Sequence, residues 1–267
     1  MKTYAIINEK GGVGKTTITH NLAYVKAKQG FKVLMIDLDS QASLTSNCGI
    51  EPHTVAENNV VNIFYKDYDQ SFFDMATTID AAELDTLFLV PTDTTLKYAI
   101  EDLPFQFDTK EEAYGVLKKH LDEIQDYFDF CFIDCAPSIN CISYNAFVAA
   151  DEVIIPVTPT YPAFRGLNTL SETLDMVTGG HEWHGESFPP LNPDLKVKGL
   201  IISMYQHTTV VDKQMTQMYY DMVDYPVLGE VKKESVVEQD VVFHAAVAQK
   251  HPGKQCSREL YAIADKL

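Results

Sequence analysis

Arginine is nearly absent from this 267-residue chain, and acidic residues far outnumber basic ones. Only Arg165 and Arg258 occur, and 38 Asp and Glu residues against 21 Lys and Arg give a net charge of −17. Such a surface repels phosphate backbones and anionic lipid over a Debye length of roughly 10 Å. Residues 196–267 hold nine basic and nine acidic residues, so the acidic excess lies in residues 1–195. Any nucleic-acid contact therefore needs a local patch, which we expect in the C-terminal quarter.

Long apolar runs, a signal-peptide pattern and paired cysteines are also missing. No run approaches the roughly 20 apolar residues of a membrane-spanning helix. The five cysteines lack the C-x2-C spacing typical of zinc sites. The sequence His181-Glu182-Trp183-His184 has the wrong spacing for the H-E-x-x-H zinc motif, and we predict a loop there because it follows two glycines. We therefore expect a cytoplasmic protein with reduced thiols and no zinc site.

Apolar strand-like runs alternate with helical patterns along most of the chain. Continuous apolar strands separated by helices indicate a parallel sheet that is covered on both faces. We predict an α/β doubly wound fold in one domain, residues 1–267, with a mostly parallel sheet of about seven strands and helices on both faces. The predicted strands are residues 3–8, 32–37, 87–90, 130–134, 153–157, 197–204 and 227–231. The predicted helices are residues 15–29, 111–127, 142–150, 166–177, 210–223, 236–248 and 257–266.

A glycine-rich loop between the first strand and the first helix carries the strongest motif. Its glycines allow backbone N–H groups to point into one concavity, and the positive end of the following helix dipole adds to the attraction for phosphate. Lys15 can reach the β and γ phosphates of a nucleotide, the Thr16 hydroxyl can bind Mg²⁺, and Thr17 can bond the α phosphate. The predicted phosphate-binding residues are Gly11, Gly12, Val13, Gly14, Lys15, Thr16 and Thr17.

Three carboxylates follow the ends of two predicted strands. Asp37 ends the predicted strand at residues 32–37, Asp39 follows it, and Asp134 ends the strand at residues 130–134. Ligands of a doubly wound sheet bind beyond the carboxyl ends of its strands, so we expect these acids near the glycine loop. Asp134 suits the role of holding a water on Mg²⁺, and Asp37 faces the same metal region.

The glycine loop resembles the deviant Walker A motif of the MinD/ParA family of P-loop ATPases. The usual G-x-x-x-x-G-K-[ST] motif has glycine where this chain has Glu9, and Lys10 is an added lysine. The resemblance implies an ATP/ADP and Mg²⁺ site in which Lys10 crosses a dimer interface to the other subunit's phosphates. It also implies that Asp39 orients or activates the attacking water and that Asp37 supports the Mg²⁺ shell. The catalytic residues on this reading are Lys10, Lys15 and Asp39; Thr16, Asp37 and Asp134 serve the metal.

Within that family the chain is most similar to ParA/Soj partition ATPases. The similarity rests on residues 10–17, 37–45, 88–92, 128–138, 151–157 and 199–205. It implies an ATP hydrolase, slow without its partner, that forms an ATP-dependent homodimer and binds DNA without sequence preference. It further implies stimulation by a ParB-type partner and a role in partition of a plasmid, mobile element or chromosome, on the nucleoid when ATP is bound. No helix-turn-helix domain is expected before the first strand.

The DNA-binding expectation depends on lysines, because the arginines typical of Soj-like proteins after the last strand are replaced. Here the sequence is Lys232-Lys233-Glu234-Ser235. Lysines suffice for backbone contacts, so we expect ATP-dependent, non-specific binding that is weak and is lost in moderate salt. The candidate residues are Lys213, Lys232, Lys233, Lys250, Lys254 and Arg258.

Other classes of function stay open at this point. MinD-like membrane cycling requires a basic amphipathic C-terminal helix, whereas residues 258–267 carry two acids against two bases. We therefore expect no membrane contact. Iron–sulfur reductase chemistry would need a matching cysteine pair. A nucleotide-dependent scaffold that does not hydrolyse ATP is a further alternative.

Overall fold

Eight strands form the central sheet of the computed structural model, which describes residues 1–55, 57–66, 68, 71–206 and 208–267. The strands of the described residues are β1 (Lys2–Ile6), β2 (Val33–Leu38), β3 (Thr77–Thr78), β4 (Leu87–Val90), β5 (Phe130–Cys135), β6 (Glu152–Val157), β7 (His181–Trp183), β8 (Glu186–Phe188), β9 (Lys196–Tyr205) and β10 (Val227–Lys232). The sheet order is β10-β9-β6-β1-β5-β2-β4-β3. Only β3 runs antiparallel to its neighbour in this sheet, while β7 and β8 form a separate hairpin.

Helices cover both faces of the sheet, because side chains along each strand alternate between two cores. Tyr4 and Ile6 belong to one core, and Ala5 and Ile7 to the other. The helices are α1 (Lys15–Lys28), α2 (Ser43–Asn47), α3 (Phe72–Met75), α4 (Leu96–Gln106), α5 (Lys110–Tyr114), α6 (Val116–Ile124), α7 (Cys141–Ala149), α8 (Tyr161–Gly179), α9 (Val210–Met222), α10 (Val236–Val242), α11 (Val247–Lys250) and α12 (Gln255–Ala264). The first core contains α1, α11 and α12; the second contains α4, α6, α7 and α8.

The strand register brings the carboxyl ends of three strands together. Ile6 of β1 pairs with Asp134 of β5, and Asp134 pairs in turn with Asp37 of β2. All three strands are parallel, so their ends lie at one edge of the sheet. The loops that follow β1, β2 and β5 consequently start side by side at the N-terminus of α1.

The predicted doubly wound fold with about seven parallel strands is confirmed, and the structure adds strands that the pattern did not show. The additional strand of the central sheet, β3, is a two-residue edge strand, too short to produce an alternating pattern. The segment that begins at His181 was expected to be a loop, which is wrong. It pairs with Glu186–Phe188 as a hairpin, and the His181 and Phe188 rings stack at 4.8 Å.

The predicted helix at 111–127 is two helices, α5 and α6, because an asparagine side chain interrupts its backbone ladder. In a continuous helix, the Leu117 N–H would donate to the Ala113 carbonyl. Instead, the Leu117 N–H donates to Asn145 Oδ1 at 3.0 Å, and Asn145 Nδ2 donates to the Ala113 carbonyl at 2.8 Å. The inserted amide satisfies both backbone groups and ties α5 and α6 to α7.

The predicted helix at 236–248 is also divided. The N–H groups of Phe243 and Ala245 both donate to the Asp240 carbonyl, and His244 takes a left-handed φ of 54°. The helical ladder therefore ends at Val242 and restarts at Val247. Further differences include the unpredicted α2, α3 and α4 and the earlier start of α8, which has proline in its first turn.

The five cysteines are buried as free thiols, in agreement with the expected reduced state. Within the described residues, no helix combines the length and the apolarity needed to cross a bilayer. The same residues contain no group of three or more His, Cys, Asp and Glu side chains able to hold a metal by themselves.

Burial of His20 in α1 gives a pH-dependent contribution to stability. Desolvation lowers the pKa of His20 to about 4, whereas an unfolded chain has a His pKa of about 6.5. The neutral ring is therefore fully compatible with folding above pH 6.5, and stability is lost as the pH falls towards 4. We expect His20→Leu to remove this loss, so that wild type loses about 2 kcal/mol more than the variant between about pH 7.5 and about pH 5. Urea unfolding of both proteins measures the difference; equal pH slopes would contradict it.

Candidate phosphate-binding site

The glycine loop between β1 and α1 has a backbone that glycine alone adopts easily. Gly12 and Gly14 have φ values of 74° and 87°, in the left-handed region that L side chains rarely adopt. Gly14 leads directly into α1, where its carbonyl accepts the first helical bond from the Ile18 N–H. The first N–H groups of the helix have no partner within it, so they are available to an anion at this helix end.

Two polar side chains near the carboxyl ends of β1 and β9 hold this loop in place. Asn8 donates to the Pro156 carbonyl at 2.8 Å and accepts from the Lys10 N–H at 2.8 Å. Ser203 donates to the Val13 carbonyl at 2.6 Å. Both Asn8 and Ser203 are buried. Sequence reasoning missed these two anchors; the signal available was a polar residue at the end of an apolar strand.

The two lysines of the loop differ sharply in their surroundings. Lys15 is buried and donates to the Asn8 carbonyl at 3.0 Å, and its burial lowers its pKa. Asp134 and Asp39 oppose that change because their negative charge favours the ammonium. Lys10 is exposed, and its ammonium makes no hydrogen bond or ion pair with the described residues. Lys10 is therefore available to a group outside the described chain.

A hydroxyl and a carboxylate meet at the start of α1. Thr16 Oγ1 donates to Asp134 Oδ2 at 2.7 Å, and Asp134 is 1% exposed. Burial raises the pKa of Asp134 well above its usual range, and the neighbouring Asp37 raises it further. Hydroxyl and carboxylate oxygens are ligands that Mg²⁺ accepts when it keeps waters and phosphate oxygens in its shell. The donor set of Thr16 and Asp134 thus fits magnesium beside a phosphate group.

Asp37 lies beside Asp134 but directs its oxygens to its own loop. Asp37 Oδ1 accepts from the Asp39 N–H at 3.1 Å, and Oδ2 accepts from both the N–H and the hydroxyl of Thr45 at 2.8 Å. Burial raises the pKa of Asp37, while these donors lower it. A direct contact of Asp37 with a metal would compete with these hydrogen bonds, and its predicted metal role stays a prediction.

The half-buried Asp39 lines a cleft of about 390 Å³ beside the glycine loop. Its Oδ1 accepts from the Gln41 N–H at 3.0 Å, and its carbonyl accepts from the Ala42 N–H at 2.7 Å. The cleft contains parts of all three strand-end loops. It is lined by Gly11, Gly12, Gly14, Lys15, Thr16, Thr17, Asp39, Ser43, Asn47, Pro137 and Met204.

A smaller, largely apolar cavity of about 140 Å³ opens beside Gly14 and shares Gly14, Thr17 and Met204 with this cleft. Ile18, Val231, Val237 and Leu260 line it. Met204 borders both spaces and has a left-handed φ of 58°. Sequence reasoning did not find this cavity, because its walls come from α1, β9, β10 and the C-terminal helices.

The predicted DNA-binding residues are mostly exposed, but they are not one uniformly basic surface. Lys232 Nζ donates to Gln255 Oε1 at 3.1 Å, which brings the end of β10 to the start of α12. Its backbone N–H donates to Glu259, so acidic groups lie within the same region. Lys233, Lys254 and Arg258 are exposed on or next to these segments, and Lys250 is exposed at the end of α11. Lys213 is exposed on α9, with no contact that links it to the others among the described residues.

The sequence of this chain is similar to those of known proteins. A profile of the AAA domain matches residues 1–182. The sporulation initiation inhibitor protein Soj of Bacillus subtilis is 34% identical over 216 residues, which cover 81% of this chain and 78% of that protein. The chromosome-partitioning ATPase Soj of Treponema pallidum is 32% identical over 226 residues, covering 83% and 80%.

A solved structure is similar along nearly the whole fold. Cobyrinic acid a,c-diamide synthase from Mycobacterium smegmatis, with a bound ATP analogue and magnesium, has a TM-score of 0.82. It is 25% identical and covers 99% of this chain and 93% of its own.

The buried Lys15 generates a prediction that separates folding from ligand binding. Lys15→Met replaces a desolvated ammonium with an apolar side chain, so we expect the ligand-free protein to keep its unfolding free energy within about 1 kcal/mol or to gain stability. Mg²⁺–ADP at about 100 times its dissociation constant should stabilise wild type by about 2.7 kcal/mol and leave the variant nearly unchanged. Urea unfolding with and without Mg²⁺–ADP measures both effects, and exposed Lys10→Met is the control. Equal stabilisation of Lys15→Met and wild type would contradict the assignment of Lys15.

Proposed function

The chain belongs to the family of P-loop ATPases that includes the Soj and ParA partition proteins and MinD, and from this membership we propose that it hydrolyses ATP as a nucleotide-dependent dimer in DNA partition. Residues 1–267 act as one ATPase domain in this proposal. The DNA is a plasmid, mobile element or chromosome, and a ParB-type partner accelerates hydrolysis. The protein is cytoplasmic and associates with the nucleoid when ATP is bound.

The observation that carries the proposal is the contact between Thr16 and Asp134 at the mouth of the glycine loop. It joins a hydroxyl at the start of α1 to a buried carboxylate on a neighbouring strand, 2.7 Å apart. Lys15 and Thr16 line one cleft together with the loop glycines, and Thr16 brings the Asp134 carboxylate next to it. Phosphoryl transfer needs mainly such positioning and charge neutralisation.

Each group of the site has a separate task in this proposal. Lys15 and the N–H groups of the loop bind the phosphates, and Thr16 with Asp134 holds Mg²⁺, which neutralises phosphate charge when bound. Asp39 orients the attacking water from its position in the cleft wall. Asp37 supports the Mg²⁺ shell in this proposal, because it lies next to Asp134 in the sheet.

The exposed Lys10 supports the dimer part of the proposal. Its backbone is fixed by Asn8, whereas its ammonium is exposed and unpaired within the described part of the chain. In a dimer, Lys10 of one copy would lie next to the triphosphate that the other copy binds. This charge-assisted contact would be weaker with ADP. Association of the two copies would then follow the state of the nucleotide.

An ATPase assay with and without DNA, together with sizing in ATP and in ADP, tests the proposal. We expect a dimer in ATP, a monomer in ADP, and slow hydrolysis that DNA stimulates and a ParB-type partner stimulates further. Stimulation by liposomes instead of DNA would favour membrane cycling. ATP binding with no hydrolysis under any condition would favour a scaffold, and absence of ATP binding would overturn the proposal.

Two single changes should separate the steps of the cycle. Asp39→Ala should bind ATP and form the dimer but lower turnover by about 100-fold, because a positioned acid–base group typically raises the rate by about 10²–10⁴-fold.

Lys10→Ala should bind ATP with near wild-type affinity but weaken the dimer by at least about tenfold, since it loses a charge-assisted contact. Single-turnover hydrolysis and sedimentation in ATP measure these effects. Normal hydrolysis by Asp39→Ala, or normal dimers of Lys10→Ala, would disprove the respective assignment.

The proposed DNA contact depends on the lysines at the end of β10. Lys232→Glu/Lys233→Glu should weaken binding in ATP at low salt, where wild type binds, and should reduce the slope of log affinity against log salt by about 2. Lys118→Glu/Lys119→Glu makes the same change of charge on α6 and is the matched control. Fluorescence anisotropy with DNA of unrelated sequences measures the affinities. Full affinity of the first variant would exclude this patch.

A further inference from the structure

One buried carboxylate, that of Asp37, ties the loop that carries Asp39 to the end of β2. Asp37 accepts three hydrogen bonds, and all of them come from residues 39–45. One donor is the N–H of Asp39 itself, and the other two belong to Thr45. The side chain of Asp37 therefore holds both ends of the segment 39–45, of which Asp39 and Ser43 line the cleft.

Thr45 extends this anchor to another strand. Its hydroxyl donates to Asp37 Oδ2 at 2.8 Å and accepts from the N–H of Thr92 at 3.0 Å. Thr92 lies just beyond β4, and Thr45, Thr92 and Asp37 are each 0% exposed. No solvent is available at such depth to replace a lost partner, so removal of the Thr45 hydroxyl leaves the Thr92 N–H unpaired.

The loop contains backbone strain that requires an anchor of this kind. Ala42, between Asp39 and Thr45, has a left-handed φ of 51°. A non-glycine residue in this region costs about 1–2 kcal/mol, and the strain persists only where the surroundings impose it. The Ala42 N–H donates to the Asp39 carbonyl, so a relaxation at Ala42 would move Asp39 directly.

We propose that Thr45 is a positioning residue for hydrolysis: its hydroxyl locks the Asp37 carboxylate to the end of β4 and thereby sets the place of Asp39. This inference rests on the proposed function, because Asp39 is there assigned to the attacking water. The phosphate loop has separate anchors, Asn8 and Ser203. Loss of the Thr45 hydroxyl should consequently lower turnover and leave nucleotide affinity intact.

Two isosteric changes provide a matched comparison. Thr45→Val removes a hydroxyl that makes two hydrogen bonds. Thr92→Val removes a hydroxyl that is equally buried but has no hydrogen-bond partner among the described residues, and it keeps the Thr92 N–H. Thr45→Ser retains the bonding group in a smaller side chain.

Single-turnover hydrolysis and affinity for a non-hydrolysable ATP analogue with Mg²⁺ are measured for the four proteins. We expect Thr45→Val to lower turnover at least about tenfold, which corresponds to a change of about 1.4 kcal/mol in the barrier, with an analogue affinity within about threefold of wild type. Thr45→Ser and Thr92→Val should both hydrolyse at nearly the wild-type rate. Wild-type turnover of Thr45→Val, or a folded Thr45→Ser as slow as Thr45→Val, would overturn the inference. An equal loss from Thr92→Val would also overturn it.

Hydrogen exchange of the Asp39 and Thr92 amides distinguishes a failure of this inference from a failure of the proposed function. Thr45→Val should accelerate exchange at both amides, while Thr45→Ser and Thr92→Val should not. Absence of hydrolysis by wild type, even with DNA and a partner, refutes the proposed function. Hydrogen exchange then tests only whether the Thr45 hydroxyl anchors the loop. Unchanged rates at both amides in Thr45→Val would overturn this anchor, and faster rates would support it.

Discussion

The hydrogen bond from Thr16 to Asp134 is the contact on which the arrangement of the site depends. It joins the first turn of α1 to the end of β5, and the neighbouring β1 supplies the glycine loop between them. Because Asp134 is also the register partner of Asp37, the same contact brings the loop after β2 to the phosphate-binding helix end. Three loops far apart in the sequence thus share one cleft. The parallel sheet makes this possible, since it directs the three strand ends to a single edge.

Three charged groups are buried around that contact, and their burial has an electrostatic cost. Desolvation lowers the pKa of Lys15 and raises the pKa of both Asp37 and Asp134, and the two carboxylates repel each other. Hydrogen bonds offset part of the cost at each acid. A bound magnesium ion would offset the negative pair, and phosphate would offset the lysine. The buried groups themselves therefore favour the binding of opposite charges at this site.

The sequence predicts those parts of the structure that depend on local pattern. Seven strands follow from continuous apolar runs, and the glycine loop follows from its motif. The break between α5 and α6 does not, because it depends on Asn145, which lies 28 residues after Leu117 and inserts from another helix. The partners of Asp37 were missed for a similar reason: Thr45 looks like an ordinary loop residue until the fold places Thr92 against it. Such contacts depend on tertiary packing and leave no periodic signal.

Because the chain is strongly acidic, the proposed dimer would also control the strength of DNA binding. Near the end of β10, the basic groups stand beside Glu259, and Lys232 is already engaged by Gln255. One copy, with a net charge of −17, therefore offers DNA only a small attractive surface. A pair of copies would present two such patches, and the second contact would form at a high effective concentration once the first had bound. Pairing controlled by nucleotide would then turn weak DNA contacts on and off together, with no change required in either patch.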